Sequence, residues 1–169
     1  MNNKVTKSIF LGIFASLAIV LAYIELLIPP LFSAAYGIKM GLPNIAIIFA
    51  LYKFGAKEAI VISSVRLLAV ALLFGNIVSF TYSIVGAILS LSLMILLKRV
   101  GLFSAIGVSI VGGISHNLGQ VLTAIAMFGR IEIGYYMIVL AITGTIAGAL
   151  VGLAGSYLVK ALKKFKIDG

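Results

Sequence analysis

The sequence predicts an all-α integral membrane protein, a compact bundle of six transmembrane helices with both ends in the cytoplasm. Of its 169 residues, 63% are hydrophobic and 10% are charged, whereas soluble domains have about 45–50% apolar and about 25% charged residues. The mean hydropathy of +1.27 agrees with this composition. Because so few charges cannot cover a water-facing surface, we expect one membrane domain over residues 1–169 and no soluble domain.

Six apolar segments are predicted as membrane spans, although a helix that crosses alone needs about 20 apolar residues. Proline, glycine or basic residues mark their ends, as Pro29-Pro30 does after the first segment. The second segment is short and must be shielded by its neighbours. The predicted spans cover residues 8–28, 42–54, 56–74, 78–97, 103–128 and 134–158.

Lysine and arginine positions predict the orientation of the bundle. Ten of the 13 basic residues fall at one set of segment ends, whereas Lys39 and Arg130 fall at the other and Arg66 lies inside the third segment. Because cytoplasmic loops are enriched in these residues, we expect a protein of the cytoplasmic membrane with both termini inside. The net charge of +9 then reflects topology, and we expect no nucleic-acid partner. The ten are Lys4, Lys7, Lys53, Lys57, Lys98, Arg99, Lys160, Lys163, Lys164 and Lys166.

Small residues on the first segment predict a close contact between helices. Ala15, Ala18 and Ala22 lie there, and the last two are four apart and share one helix face. Small residues at this spacing let another helix approach closely. Two interpretations remain open, packing within the bundle and docking of a different membrane subunit.

A glycine-rich connection follows the first segment and includes Tyr36, Gly37, Lys39, Gly41 and Asn44. Its glycines allow backbone conformations that other residues avoid. It is interpreted either as a rigid turn with a lysine that reaches the membrane surface, or as a lid over a ligand that Lys39 or Asn44 contacts.

Arg66 lies near the middle of the third segment, where burial of arginine costs at least about 2.5–3.5 kcal/mol on insertion scales. It must therefore face the bundle interior and find a partner. Glu25 on the first segment could form a structural ion pair with it, and the functional alternative is that Arg66 binds an anion.

Three strongly hydrogen-bonding side chains, His116, Asn117 and Gln120, stand within the run SHNLGQ of the fifth segment. Spacings of three and four place them on one helix face. They either form hydrogen bonds between helices or line a polar ligand pocket. His116 is the single histidine and the chain has no cysteine, so neither a multi-histidine nor a thiolate metal site is expected.

The absence of certain motifs argues against ATP hydrolysis and other catalysis by this chain. No GxxxxGK[ST] phosphate-binding loop occurs, so ATP hydrolysis by this chain is not expected. Paired carboxylates within the spans are absent as well, and Glu25 and Glu132 lie far apart. We therefore expect no enzyme activity and no cofactor.

Glu25 with Pro29-Pro30, the run GIKMGLPN at residues 37–44 and the run SHNLGQ at residues 115–120 resemble a known family. The family is heptaprenyl diphosphate synthase component I, also called Gx transporters, and it resembles the S components of energy-coupling-factor (ECF) transporters. The resemblance implies an S-component-like fold that binds a small-molecule substrate under the connection after the first helix. It also implies that Ala18 and Ala22, with Ala15 beside them, dock onto a membrane scaffold subunit that joins two cytoplasmic ATPases.

The leading hypothesis is therefore a substrate-binding subunit of an ATP-driven importer for a small, anionic, vitamin-like or precursor molecule. A second hypothesis is a non-catalytic membrane subunit associated with a polyprenyl diphosphate synthase. Prenyl transfer itself is not expected, because such synthases use aspartate-rich motifs and Asp168 is the single aspartate here. A third hypothesis, a carrier that works alone, is disfavoured by the lack of paired acids.

Overall fold

A computed structural model describes residues 3–27, 41–74 and 77–164, without the side chains of residues 3, 4 and 164. Within these ranges the chain forms six α-helices, two short 3-10 helices and no strand. The predicted lid residues Tyr36, Gly37 and Lys39 lie outside the described residues. The α-helices are α1 (Asn3–Leu27), α2 (Asn44–Lys53), α3 (Ala56–Phe74), α4 (Ile77–Val100), α5 (Ala105–Phe128) and α6 (Met137–Ala161).

The number of α-helices agrees with the sequence prediction, and α3 has the predicted bounds. The other ends differ by a few residues: α2 and α5 begin two residues later than predicted, whereas α1 and α4 extend beyond their apolar runs into polar residues. Thus α1 already begins at Asn3, and α4 runs through Lys98 and Arg99. A 3-10 helix, Ile131–Tyr136, precedes α6 and delays its start.

Among the described residues, four helical segments are long and apolar enough to cross a membrane. They are Val5–Leu27, Ile77–Val100, Ala105–Phe128 and Ile131–Ala161. Helix α2 has only ten residues, and α3 carries Lys57, Glu58 and Arg66. The all-helical class is therefore confirmed for the described part of the chain, whereas spanning by α2 and α3 stays a prediction.

The short helix α2 forms the centre of the bundle. Every side chain from Ala46 to Leu51 is buried. Phe49 stacks on Phe14 of α1, with ring centroids 4.0 Å apart. Ten helical residues extend only about 15 Å. Helix α2 therefore fills one half of the interior, and its N-terminal end lies inside the bundle.

Charged side chains gather at the C-terminal end of α2, and we call this region the basic end. Lys7 of α1 forms an ion pair with Glu58 of α3, with Nζ and Oε1 2.7 Å apart. The Nζ atom of Lys98 on α4 donates a hydrogen bond to the carbonyl of Leu51. Between α2 and α3 the chain reverses at Gly55, whose φ of 134° favours glycine.

Helices α4, α5 and α6 pack through glycines, which lets their backbones touch. On α6, Gly144, Gly148 and Gly152 are spaced by four residues and are all buried. A Cβ atom on Gly148 would lie 2.7 Å from the Cα atom of Ile110 on α5. This small-residue pattern was not singled out in the sequence, although it is the kind that brings membrane helices together.

The six helices form two groups, α1–α3 and α4–α6, and we call the surface between them the seam. Packing is extensive between α5 and its neighbours α4 and α6. Across the seam α2 packs against α6, while α3 touches α4 more lightly. The seam is therefore closely packed where α2 meets α6 and more loosely packed where α3 meets α4.

The structure corrects the expected position of a docking face on α1. Ala18 and Ala22 are 0% and 7% exposed, and Ala15 packs at the edge of the buried core. Ala18 and Ala22 thus pack within the bundle, the other interpretation left open above, and are inaccessible to a partner helix, whereas Ala15 is only partly buried. On the outward face of α1, Gly12 and Ser16 are exposed and four residues apart.

Substitution of Gly148 by alanine should lower the stability of the bundle, because the new methyl group meets the α5 backbone. We expect a loss of about 1–3 kcal/mol, typical of overpacking. Thermal unfolding in detergent, followed by far-ultraviolet circular dichroism, measures the change. The matched control is Gly12→Ala, where the methyl group meets nothing within 4 Å. Equal melting temperatures for the two variants would contradict the close approach of α5 and α6.

Candidate functional site

A polar cavity of about 50 Å³ lies on the seam, beyond the start of α2. Room of this size holds a few water molecules. Helices α1, α2, α3, α5 and α6 all contribute to its lining. Every described residue that the sequence analysis proposed as a ligand contact lines it, namely Glu25, Asn44, Arg66, His116, Asn117 and Gln120.

Two further cavities adjoin this one. A cavity of about 90 Å³ lies between α1, α3 and α4 and shares Glu25 and Arg66 with the polar cavity. A space of about 10 Å³ shares Asn44, Arg66 and His116 with it. Arg66 lines all three, so its side chain stands where they meet.

The guanidinium of Arg66 is incompletely satisfied by the protein. Its Nε atom is buried and has no hydrogen-bond partner among the described residues. Glu25 attracts its positive charge. Ser63, one turn earlier on α3, likewise has a buried Oγ atom that lacks a partner within the described ranges. Leaving a buried polar group unpaired costs about 1–3 kcal/mol, so this position favours a bound polar group.

Glu25 connects the end of α1 to the start of α2. Its Oε1 atom accepts a hydrogen bond from the N–H of Gly41, 2.5 Å away. Gly41 has a φ of 72°, in the region that favours glycine. From the sequence, Gly41 was expected in a rigid turn or in a lid, and in the structure it lines the polar cavity.

The first N–H groups of α2 are already used within the turn. Asn44 N donates to Gly41 O at 2.9 Å, and Ile45 N donates to Leu42 O at 3.1 Å. A helix N-terminus attracts anions through unpaired N–H groups. Because these are paired, recognition in the cavity depends on side chains, such as the Asn44 amide.

The polar run on α5 divides between two roles. Asn117 Nδ2 donates to the Leu140 carbonyl of α6 at 2.7 Å, a hydrogen bond between helices. His116 Nε2 and Gln120 Nε2 lie 3.4 Å apart on the cavity wall. Gly86 of α4 leaves room for the imidazole, since a Cβ atom there would lie 2.9 Å from His116 Cε1. The interhelical hydrogen bond is therefore found for Asn117, and a ligand-binding role of the run stays a prediction.

Several residues in and around the site were missed in the sequence, among them Ser63, Gly86, Ser90 and Gly144. Ser63 precedes Arg66 by three residues on the same helix face, a spacing that could have revealed it. Gly144 lines the cavity and belongs to the four-residue glycine pattern of α6. Ser90, which donates to Gly112 O at 2.8 Å, and Gly86 gave no local signal.

A family model described as heptaprenyl diphosphate synthase component I matches residues 14–158. The chain belongs to this family. Membership confirms the resemblance drawn from Glu25 and from the two motif runs. The matched range includes every residue that lines the polar cavity. No curated protein and no solved structure matches the chain.

The cavity of this component I chain offers hydrogen bonding and charge rather than metal chemistry. Within the described ranges no group of three or more His, Cys, Asp or Glu residues could hold a metal ion. The side chains present a guanidinium, a carboxylate, an imidazole and three amides. Such a set can bind a small molecule through convergent donors and acceptors.

Asn117→Leu should weaken the contact between α5 and α6 while nearly preserving side-chain size. We expect a loss of about 0.6–1.7 kcal/mol, the range measured for such bonds in another membrane protein. Thermal unfolding in detergent reports the change. Thr145→Val is the control, because its hydroxyl is exposed and bonds Ala141 O within the same helix. An Asn117→Leu protein no less stable than the control would contradict a contribution from this bond.

Proposed function

We propose that this chain is the substrate-binding subunit of an importer of the energy-coupling-factor type, driven by ATP hydrolysed in other subunits. The observation that carries the proposal is the convergence of the predicted contact residues from separate helices on one cavity. Polar side chains are costly inside a membrane domain and usually serve binding or transport. The family description, a synthase component, neither requires nor opposes this role.

The proposed substrate is a small anionic molecule. Arg66 is the cation at the meeting point of the cavities, and its Nε atom finds no partner among the described residues. An acidic oxygen of a ligand would supply that partner, as guanidinium groups commonly bind carboxylates and phosphates. His116, Asn44 and Gln120 would orient the remaining polar groups. The cavity of about 50 Å³ must enlarge, or extend into its neighbours, to hold a vitamin-sized molecule.

The proposed partners are a membrane scaffold subunit and two cytoplasmic ATPases. The chain has no phosphate-binding loop of its own, so energy must come from elsewhere. Because Ala18 and Ala22 are buried, we now propose that the scaffold contacts the outward face of α1 at Gly12 and Ser16. The role is one of binding, without catalysis.

Arg66→Leu should abolish ligand capture and leave the bundle folded. Wild-type protein purified in mild detergent, analysed by native mass spectrometry, should carry a small molecule that the variant lacks. Arg130→Leu is the matched control, since Arg130 is exposed and lines none of the three cavities. A ligand retained by Arg66→Leu would contradict the proposed contact. Loss of folding in Arg66→Leu alone would instead indicate the structural ion-pair role.

We also propose six spans with both termini in the cytoplasm. The contacts that join Lys7 to Glu58 and Lys98 to Leu51 support one common side for these basic residues. Since the chain has no cysteine, single cysteines can be introduced and labelled selectively. Arg130→Cys should react with a membrane-impermeant maleimide in intact cells, whereas Lys57→Cys should react only after permeabilisation. The reverse pattern would contradict the orientation, and labelling of both in intact cells would contradict the span count.

The second candidate function is a non-catalytic membrane subunit of a polyprenyl diphosphate synthase, and the family description favours it. The basic end would then recruit a soluble synthase subunit at the membrane surface. Affinity purification from native membranes separates the two functions. Recovery of a scaffold and ATPases supports the importer, and recovery of a soluble synthase without them supports this alternative.

A further inference from the structure

We infer that the captured molecule is amphiphilic, with an acidic head group in the polar cavity and one short apolar chain in the adjoining cavity. The inference rests on the proposed function, because it specifies the ligand of the same site. It is carried by the position of Arg66 and Glu25, which line both cavities.

The adjoining cavity differs in chemistry from the polar one. It has about 90 Å³ of room, against about 50 Å³ in the polar cavity. Beyond Glu25 and Arg66, its polar lining comes from Ser79 and Ser83 of α4. Its apolar lining is Ala22, Leu26, Leu67, Val70, Ala71, Phe74 and Phe80. An uncharged hydrocarbon chain fits these walls better than a second polar group.

One face of α3 connects the positive charge of Arg66 to the apolar walls of the adjoining cavity. Arg66, Val70 and Phe74 follow at spacings of four residues, and Leu67 and Ala71 lie beside them. From Arg66 to the end of α3 at Phe74 the helix rises about 12 Å. A head group at Arg66 would therefore have its chain run along α3, away from the basic end.

Glu25 restricts which acidic head groups can bind beside Arg66. Its carboxylate lines the same two cavities, so a fully ionised head group at Arg66 would also meet a negative charge. A head group that carries both an acidic oxygen and a hydrogen-bond donor satisfies the two residues together. A singly protonated phosphate monoester has this combination.

The room available favours a single chain over a two-chain membrane lipid. The cavity is small and its walls of Leu26 and Phe74 are partly exposed, so it opens toward the outside of the bundle. A free single-chain amphiphile and a phospholipid share the head-group chemistry, and the experiment separates them.

The test is calorimetric titration of the full chain in nanodiscs of neutral phosphatidylcholine. The probes are inorganic phosphate, 1-hexanol, and butyl, hexyl and octyl phosphate, with empty nanodiscs as the blank. Hexyl phosphate should bind at least about tenfold more tightly than phosphate, since each buried methylene contributes roughly fourfold. The gain should stop at the chain length that the cavity holds, whereas partition into the bilayer would continue to increase.

Two variants locate the binding. Ala71→Phe fills the apolar cavity and should remove the advantage of hexyl phosphate while phosphate binding stays unchanged. Leu72→Phe is its control, because Leu72 is 85% exposed and lines none of the three cavities. Arg66→Leu should abolish binding of phosphate and hexyl phosphate alike.

The outcomes separate this inference from the proposed function. Equal affinities for phosphate and hexyl phosphate would overturn the apolar subsite and leave anion capture standing. If neither phosphate nor hexyl phosphate binds, the proposal of an anionic ligand is wrong, and so is the inference of an amphiphilic one. If nanodiscs that contain phosphatidic acid block hexyl phosphate, a two-chain lipid is the occupant and the single-chain ligand is wrong.

Discussion

The length of one buried helix determines where this protein has room inside. Helix α2 has ten residues among neighbours of 19 to 25, and it is fixed at the basic end, where its Leu51 carbonyl accepts from Lys98. Its side chains are the most completely buried of the bundle. The half of the interior beyond Asn44 must therefore be filled by something else. Side chains of Glu25, Arg66 and the polar run of α5 project there, and the cavities lie among them.

The glycines of α4, α5 and α6 have the opposite effect, because they remove space. Gly113 faces the Gly144 carbonyl, and Gly119 faces the backbone of Gly86. At these two contacts the backbones are so close that no side chain lies between them. The three cavities described above all lie on the seam, which is looser where α3 meets α4. Tight packing in one group of helices thus positions the cavity as much as the polar residues do.

The sequence predicted the helices and the polar contacts better than it predicted packing. Hydropathy and spacing identified six helices and the shared face of His116, Asn117 and Gln120, since both are local properties. The burial of Ala18 is not a local property. The same small-residue spacing suits docking and internal packing, and only the packing of α1 against its neighbours in the bundle distinguishes them. Gly86 is similar, because its importance depends on His116, thirty residues away on another helix. Tyr36, Gly37 and Lys39 lie outside the described residues and stay predictions.

The seam has a thermodynamic consequence. Its cavities are walled by residues from both groups of helices, so an occupant is held simultaneously by α1–α3 and by α4–α6. Any displacement of one group against the other changes the affinity for that occupant. By reciprocity, the occupant changes the free-energy difference between the two arrangements by the same amount. A protein that separated the two groups would weaken binding, and occupancy would oppose that separation to the same extent, whatever the molecule held between them.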